Sequence, residues 1–190
     1  MLQRTDPGPR AIGVGVSRSG DPLTAVREAA ADLDTDRCCF VMAVVPDRLN
    51  RDALTAAFDE CLAGVQVIGC TTAGQITPQG YEDDALLLLA FPRAHFRCAT
   101  QLIAPLNPLS IEKVSADARR LSAQFPQSAH WHRLALIFAD GLSMREDLLV
   151  AALAGGWTGC RSLAGQPATR CNFEVRPSCT TGGFTVTLRC

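Results

Sequence analysis

The chain has 190 residues, 47% of them hydrophobic and 19% charged, which is enough apolar mass for one globular domain. A net charge of -1 argues against a nucleic-acid-binding surface and against attraction to an acidic membrane. The apolar runs at 38–45 and 85–91 are too short to span a bilayer, and residues 1–10 lack the apolar segment of a signal peptide. We therefore expect a cytoplasmic protein with neither nucleic acid nor membrane as a partner.

The nine cysteines do not follow the spacing of a zinc site or of a disulfide framework. Cys38 and Cys39 are adjacent, and no C-x-x-C pair occurs. In a cytosolic domain most of them are expected to be small buried hydrophobic residues, and no metal site is predicted. Lys113 is the single lysine beside seventeen arginines, a bias of codon usage that suggests a GC-rich bacterial gene.

Strands and helices are predicted to alternate in the first third of the chain. In chain order they are a strand at 11–17, a helix capped by Asp21 with Pro22 at its first position, a strand at 38–45, a helix capped by Asn50 and a strand at 65–70. Because these strands are apolar on both faces, helices are expected to cover part of the sheet.

The next part of the chain predicts further strands and two more helices. An exposed turn from Tyr81 to Asp84 comes first, followed by an antiparallel hairpin of strands 85–91 and 95–103. A helix then begins at about Ser110, with an apolar stripe beginning at Ile111. A strand at 132–139 and a helix opened by a capping box of Ser143 and Glu146 follow. The sequence thus predicts an α/β fold with a mixed parallel/antiparallel sheet flanked by helices.

The most informative segment is residues 65–75, where a β-branched strand ends in small polar residues between two glycines. Such a loop brings hydroxyls, a thiol and free backbone N–H groups together, which suits a small molecule. The candidate ligand-binding residues are Gly69, Cys70, Thr71, Thr72, Ala73 and Gly74, with Asp140 as a neighbour at the end of a later strand.

Each of these candidates also has a structural interpretation. Thr71 and Thr72 either satisfy loop backbone groups or hold a ligand carboxylate. Asp140 either caps the turn that follows it or faces the same pocket. Cys70 at a strand end is a candidate nucleophile of a small enzyme, but no histidine is near it in sequence, so a buried structural thiol is favoured.

Two nucleotide-binding patterns are incomplete in this chain. Gly69 and Gly74 have P-loop spacing, yet Gln75-Ile76 stands where lysine and a hydroxyl residue are required. Gly13 and Gly15 lie inside a strand, and Arg18 takes the place of the third glycine of a dinucleotide fingerprint. Neither nucleotide hydrolysis nor dinucleotide binding is expected, and no catalytic residue is assigned.

The chain has three histidines, His95, His130 and His132. In an extended segment the last two would lie on one side and could contact a metal or haem, although two histidines before a strand more often belong to a solvated loop.

Four segments taken in order resemble the N-terminal half of FIST-domain proteins. They are residues 11–17, residues 67–75 with the core Gly-Cys-Thr-Thr-Ala-Gly, the strand 85–90 and residues 138–141. The similarity covers roughly residues 10–154, and the Gly-Cys-Thr-Thr-Ala-Gly core is its most specific part. One departure is Gln75, where the family usually has glutamate.

The resemblance implies a bacterial sensory domain in signal transduction that binds a small ligand such as an amino acid. Output would pass to a partner such as a sensor kinase or a cyclic-dinucleotide enzyme. No cofactor is expected in the main interpretation. The alternative within the family is a haem-binding nitric-oxide sensor that uses one of the three histidines.

The composition changes after Gly155, where 157–190 contain four cysteines, six threonines and no aspartate or lysine. When this stretch is back-translated with GC-rich codons and the nucleotides are read one position earlier, they encode a family-like Val-Gly-Gly-Ser-Ala-Gly-Asp loop. We therefore expect an N-terminal extension at 1–9, a ligand-binding domain at 10–154 and an aberrant, frameshifted tail at 155–190. Such a truncated product would lack the second half that family members carry, would leave a strand edge exposed and could be non-functional.

Overall fold

The computed structural model describes residues 12–126, 132–139 and 143–157, and the backbone of three later strands. The elements in chain order are β1 (Gly13–Ser17), α1 (Pro22–Ala30), β2 (Cys38–Pro46), α2 (Arg51–Cys61), β3 (Gln66–Thr72), β4 (Gln75–Thr77), β5 (Gly80–Glu82), β6 (Leu86–Pro92), β7 (Arg97–Ile103), α3 (Ile111–Ala123), β8 (Arg133–Phe138), α4 (Glu146–Ala154), β9 (Arg161–Gly165), β10 (Asn172–Glu174) and β11 (Gly183–Arg189).

The strands form two larger sheets and one small hairpin. The first sheet has the order β1-β6-β2-β3-β10, the second has the order β7-β11-β8-β9, and β4 pairs with β5. Within the first sheet β2 and β3 are parallel, whereas β6 is antiparallel to both β1 and β2. The predicted fold class, a mixed sheet flanked by helices, is confirmed, but the strands are divided between two sheets and not collected in one.

The two sheets and four helices stack as four layers. The first hydrophobic cluster joins α1 and α2 to one face of the first sheet. Another joins the opposite face, through Phe40, Met42 and Ile68, to Leu134 and Leu136 of the second sheet. The third cluster lies between the second sheet and α3 and α4. The order of layers is therefore helices, sheet, sheet, helices, so both sheets are covered by packing on their two faces.

Aromatic rings fill the space between the sheets. Phe40 and Phe91 stack with ring centroids 4.3 Å apart, and Phe96 meets Phe91 edge to face at 5.1 Å. Both arrangements are the favoured geometries for aromatic pairs. These ring contacts set the distance between the two sheets near the connection from β6 to β7.

The caps of the first two helices are those predicted. The Asp21 side chain accepts a hydrogen bond from the Thr24 N–H at 2.8 Å. The pKa of Asp21 is lowered first by hydrogen bonding to the Thr24 side chain and then by this backbone bond. Asn50 accepts from the Ala53 N–H at 3.0 Å. Each cap satisfies one of the N–H groups left free at the start of a helix.

The four described helices are short, with α3 the longest at 13 residues. None of the helices in the described ranges is both long enough and apolar enough to cross a membrane. In α3 the predicted stripe is buried at Val114, Ala118 and Leu121, whereas Ile111 is 52% exposed and was wrongly assigned to the buried face.

The predicted hairpin of residues 85–103 is wrong. β6 pairs with β1 and β2 in the first sheet, and β7 pairs with β11 in the second. The short connection, in which the Phe96 and His95 N–H groups donate to the Pro92 carbonyl, carries the chain from one sheet to the other. Phe96 is buried between the sheets, so burial of this ring outweighs local pairing.

The predicted capping box is also wrong. Helix α4 begins at Glu146, the N-cap is Arg145 without a side-chain hydrogen bond, and the Ser143 hydroxyl is buried with no partner in the described part of the chain. A capping box needs the hydroxyl at the N-cap and the glutamate three positions into the helix. Met144 adopts a left-handed conformation with φ of 50°, which separates Ser143 from the helix.

The described parts of the tail are three short strands. β9 is parallel to β8, β10 is antiparallel to β3, and β11 lies between β7 and β8. The outer edges of β3 and β8 are therefore paired, contrary to the expectation that a strand edge there stays exposed. The four cysteines of the tail lie outside the described residues.

Gly15 permits the closest contact between a helix and the first sheet. A Cβ atom at this position would lie 1.7 Å from the Ala29 carbonyl oxygen in α1. The Gly15→Ala variant should therefore lose about 1–3 kcal/mol in its free energy of unfolding, because α1 must move away from β1.

Urea unfolding followed by circular dichroism measures this loss, with Gly155→Ala as the matched control. Gly155 has right-handed helical angles, and a Cβ there would meet its nearest atom at an ordinary 3.6 Å. The control should stay within about 0.5 kcal/mol of the wild type. Equal stability of both variants would show that β1 and α1 are not packed in this way.

Candidate functional site

The candidate motif lies where the parallel strands of the first sheet end. Gly69, Cys70, Thr71 and Thr72 are the last residues of β3, so the strand runs further than the predicted end at Cys70. Because β6 is antiparallel to both β1 and β2, strands β1, β2 and β3 end at the same edge of the sheet. In open α/β sheets, ligands bind outside this carboxyl edge.

Two candidates are built into the strand. Gly69 is opposite Ala43 and Thr71 is opposite Val45 in the β2–β3 ladder. Thr71 is only 1% exposed and has an interaction partner. Gly69 and Thr71 are thus part of the sheet itself and hold the end of β3 in place beside β2.

The Cys70 side chain is buried between the two sheets. Strand alternation places it on the same face as Ile68, which belongs to the inter-sheet cluster. Burial raises the pKa of the Cys70 thiol to about 11. A thiol with this pKa is not ionised at neutral pH, so the site does not provide the thiolate that a nucleophilic cysteine needs.

Thr72, Ala73 and Gly74 form the turn at the end of β3. The Thr72 hydroxyl donates to the Gly74 carbonyl oxygen at 2.8 Å and accepts from the Gly74 N–H at 3.3 Å. Ala73 is exposed. The Thr72 hydroxyl therefore satisfies loop backbone groups, one of the two roles predicted for it, and it stands at the surface end of the motif.

A short hairpin, β4–β5, follows this turn directly. Its connection is Pro78-Gln79, and Gly80 has a φ of 127°. Tyr81 and Glu82 belong to β5, so the predicted turn from Tyr81 to Asp84 is wrong in its first half.

Tyr81 covers the glycine that ends the motif. A Cβ at Gly74 would lie 2.2 Å from the Tyr81 hydroxyl, so a side chain there would displace the exposed Tyr81 ring. A hydrogen bond to Asp83, together with the charge of that carboxylate, raises the pKa of Tyr81. The protonated phenol is thus held across the turn.

Two arginines fasten the hairpin to the ends of the neighbouring strands. Arg18, just after β1, donates from Nη2 to Glu82 Oε1 at 2.6 Å and makes a second bond from Nε to Oε2. Arg48, just after β2, donates to the Asp84 carboxylate and to the Asp84 carbonyl oxygen, each at 2.8 Å. Together with Asp83 these residues line a surface depression of about 700 Å³.

Glu82 is the central charged group of this attachment. Hydrogen bonds from Arg18 and then from Thr77 lower the pKa of Glu82 below its usual value near 4.5. Because the pKa is lowered in the folded protein, the attachment is present at neutral pH and is lost only as the pH falls through that lowered value.

The remaining candidates lie elsewhere. Asp140 and His130 are outside the described residues, and His95 and His132 are exposed. His95 borders a depression that it shares with Asp32, Asp34 and Asp36. No group of histidine, cysteine and acidic residues with metal-binding geometry occurs in the described part of the chain.

Sequence reasoning missed Arg18, Arg48, Gln75 and Glu82. The available signal was the Pro-Gln-Gly turn at 78–80 between two short alternating segments, which is typical of a hairpin. No local pattern shows that two arginines distant in sequence contact this hairpin.

The four-layer fold places a polar turn at the carboxyl edge of its parallel strands, the edge at which open α/β sheets bind ligands. The FIST N domain family matches residues 37–162, which is most of the chain, and the protein belongs to this family. FIST domains are sensory domains of signal transduction. The match includes the Gly69–Gly74 motif but not β1, and it ends a few residues beyond Gly155.

Among solved structures, a cyanuric acid hydrolase from A. caulinodans is similar at 14% sequence identity, with a TM-score of 0.37. That similarity covers 95% of this chain and 71% of the hydrolase chain. A likeness this weak carries no argument about activity. No curated protein matches the chain in sequence.

Cys70 should react very slowly with iodoacetamide in the folded protein. With a pKa of about 11, about one thiol in ten thousand is ionised at pH 7, and the modification rate should rise about tenfold per pH unit. Peptide mass spectrometry after timed quenching measures this rate. Half-buried Cys61 serves as the internal comparison and should be modified first. Rapid, selective modification of Cys70 at pH 7 would restore the enzyme hypothesis.

Proposed function

We propose that this protein is a non-catalytic sensory domain that binds a small ligand, such as an amino acid, at the carboxyl edge of β1, β2 and β3. The contacts would come from the Gly69–Gly74 motif, with Asp140 as a neighbour. The observation that carries the proposal is the position of the motif: its polar turn ends the last parallel strand, next to two arginines and beneath a hairpin.

The motif residues divide into two roles in this proposal. Gly69, Cys70 and Thr71 shape the buried end of the strand, and Thr72, Ala73 and Gly74 offer backbone groups and a hydroxyl at the surface. A turn of this kind can bind a carboxylate through its N–H groups. Asp140 would approach from the end of β8 and accept a hydrogen bond from an ammonium group.

The domain would act through a separate output protein. The chain contains no kinase or cyclase motif, and FIST domains belong to signal transduction. We propose a sensor kinase or a cyclic-dinucleotide enzyme as the partner and the cytoplasm as the location. The alternative of a haem-binding nitric-oxide sensor that uses one of the three histidines stays a prediction.

Removal of the Thr72 hydroxyl should weaken ligand binding. In Thr72→Val the isosteric methyl group can neither orient the turn nor contact a ligand, so affinity should fall about tenfold. Isothermal titration calorimetry of the whole chain against the twenty common amino acids identifies the ligand and then measures this loss.

Thr72→Ser is the matched variant, because it keeps the hydroxyl and should retain affinity within about threefold. Thr100→Val, which removes a hydroxyl from β7 in the other sheet, should leave binding unchanged. If no amino acid binds the wild-type chain, or if Thr72→Val binds as well as Thr72→Ser, the proposed site is refuted.

We also propose that residues 155–190 are the product of a frameshift. The change in composition after Gly155 and the family-like sequence recovered in the preceding frame support this. The family match ends at residue 162, and residues 163–190 lie outside it. The authentic continuation would supply a strand next to β8, where β9 now lies, and a second domain.

Nucleotide sequencing across codons 150–160 should reveal a one-nucleotide insertion or deletion relative to the source genome. The restored gene should encode the Val-Gly-Gly-Ser-Ala-Gly-Asp loop in place of the present tail. An intact frame would show that the tail and its cysteines are authentic.

A further inference from the structure

Gln75 carries a buried side chain that nothing in the described structure satisfies. It is the first residue of β4, directly after the Gly69–Gly74 motif, and it is 2% exposed. Neither its Nε2 nor its Oε1 atom has a hydrogen-bond partner within the described ranges. Buried amides are almost always paired, so an amide with both ends free requires an explanation.

The same hairpin satisfies its other buried polar groups. The Thr77 hydroxyl donates to Glu82 Oε1 at 2.6 Å and accepts from the Gln79 N–H at 3.1 Å. Glu82 is directly opposite Gln75 in the β4–β5 ladder and is paired with Arg18. The hairpin thus has ordinary polar pairing at Thr77 and Glu82, and the exception is confined to the residue nearest the motif.

An unpaired buried amide destabilises the fold that contains it. A group that satisfies both ends at once must present an acceptor to Nε2 and a donor to Oε1 side by side. A primary amide has this arrangement, whereas a carboxylate only accepts and an ammonium group only donates.

We propose that the Gln75 carboxamide recognises the primary amide of a neutral ligand bound at the motif, which selects an amide-bearing amino acid over its acidic counterpart. This inference rests on the proposed function and specifies its ligand. The two amides form a pair of complementary hydrogen bonds in a space closed to water, where the loss of either bond is costly.

The β4–β5 hairpin is then the cover of the site. Both amide atoms of Gln75 are inaccessible when the hairpin is attached, so the hairpin has to lift for the ligand to enter. Its attachments are the ion pairs Arg18–Glu82 and Arg48–Asp84, each with one partner largely exposed. Because one partner of each pair faces solvent, salt screens these attachments, which is compatible with repeated opening.

The test compares two matched pairs of probes on the whole chain by titration calorimetry. L-glutamine and L-asparagine differ from L-glutamate and L-aspartate only in the amide. The wild type should bind at least one amide about tenfold or more tightly than its acid. This comparison needs no variant, so it does not depend on whether a substituted chain folds.

Gln75→Met, which is nearly isosteric and apolar, separates a recognition role from a structural one. Without ligand it should raise the melting temperature by roughly 2–8 °C, because a buried unpaired amide is removed. It should also abolish the preference for the amide. The same change at exposed Gln79 on the hairpin connection, Gln79→Met, should alter neither quantity, and Thr77→Val should lower the melting temperature because it breaks existing hydrogen bonds.

Equal affinity of the wild type for amides and acids would overturn the inference, as would an unchanged amide preference in Gln75→Met. If binding remains sensitive to Thr72→Val in either case, the proposed function stands and only this inference fails. If the wild type binds none of the twenty amino acids, both fail together.

Discussion

The burial of the β2–β3 pair on both faces is the constraint on which the rest of the structure depends. One face packs against α1 and α2, and the other packs against the second sheet through Phe40, Met42 and Ile68. Polar groups on these strands have no room within the layers, since a buried polar group needs a partner there. The polar residues of β3 therefore gather where the strand leaves the core.

This burial explains why only part of the Gly69–Gly74 motif reaches the surface. Cys70 and Thr71 look chemically versatile in sequence, yet both are enclosed by the layers. Only the turn that begins at Thr72 reaches the edge. The hairpin that follows closes over this edge, held by charged residues from the ends of β1 and β2. Gln75 lies directly between the motif and the rest of this hairpin, so the proposed recognition and access would both depend on one short segment.

Much of the fold could be predicted from sequence, because its determinants are local. Asp21 and Asn50 cap helices through bonds to residues three positions away, and the apolar runs of β2 and β6 are long enough to identify buried strands. The predictions failed where a distant partner decided the outcome. Residues 85–103 read as a hairpin, but Phe96 is drawn into the space between the sheets and separates β6 from β7. Ser143 and Glu146 have capping-box spacing, but the conformation of Met144 moves the hydroxyl away from the helix.

By itself, the sequence determined the class of fold, the family and the segment that carries the candidate site. Each of these follows from patterns within a few residues: the spacing of apolar side chains, the helix caps and the Gly-Cys-Thr-Thr-Ala-Gly core. The tertiary structure decided which motif atoms are accessible, which arginines fasten the hairpin and that Gln75 is buried without a partner among the described residues. Accessibility and pairing depend on groups that are 30 to 64 residues apart in the chain, such as Arg48 with Arg18 and Arg18 with Glu82. Only the packing of the layers brings such groups together.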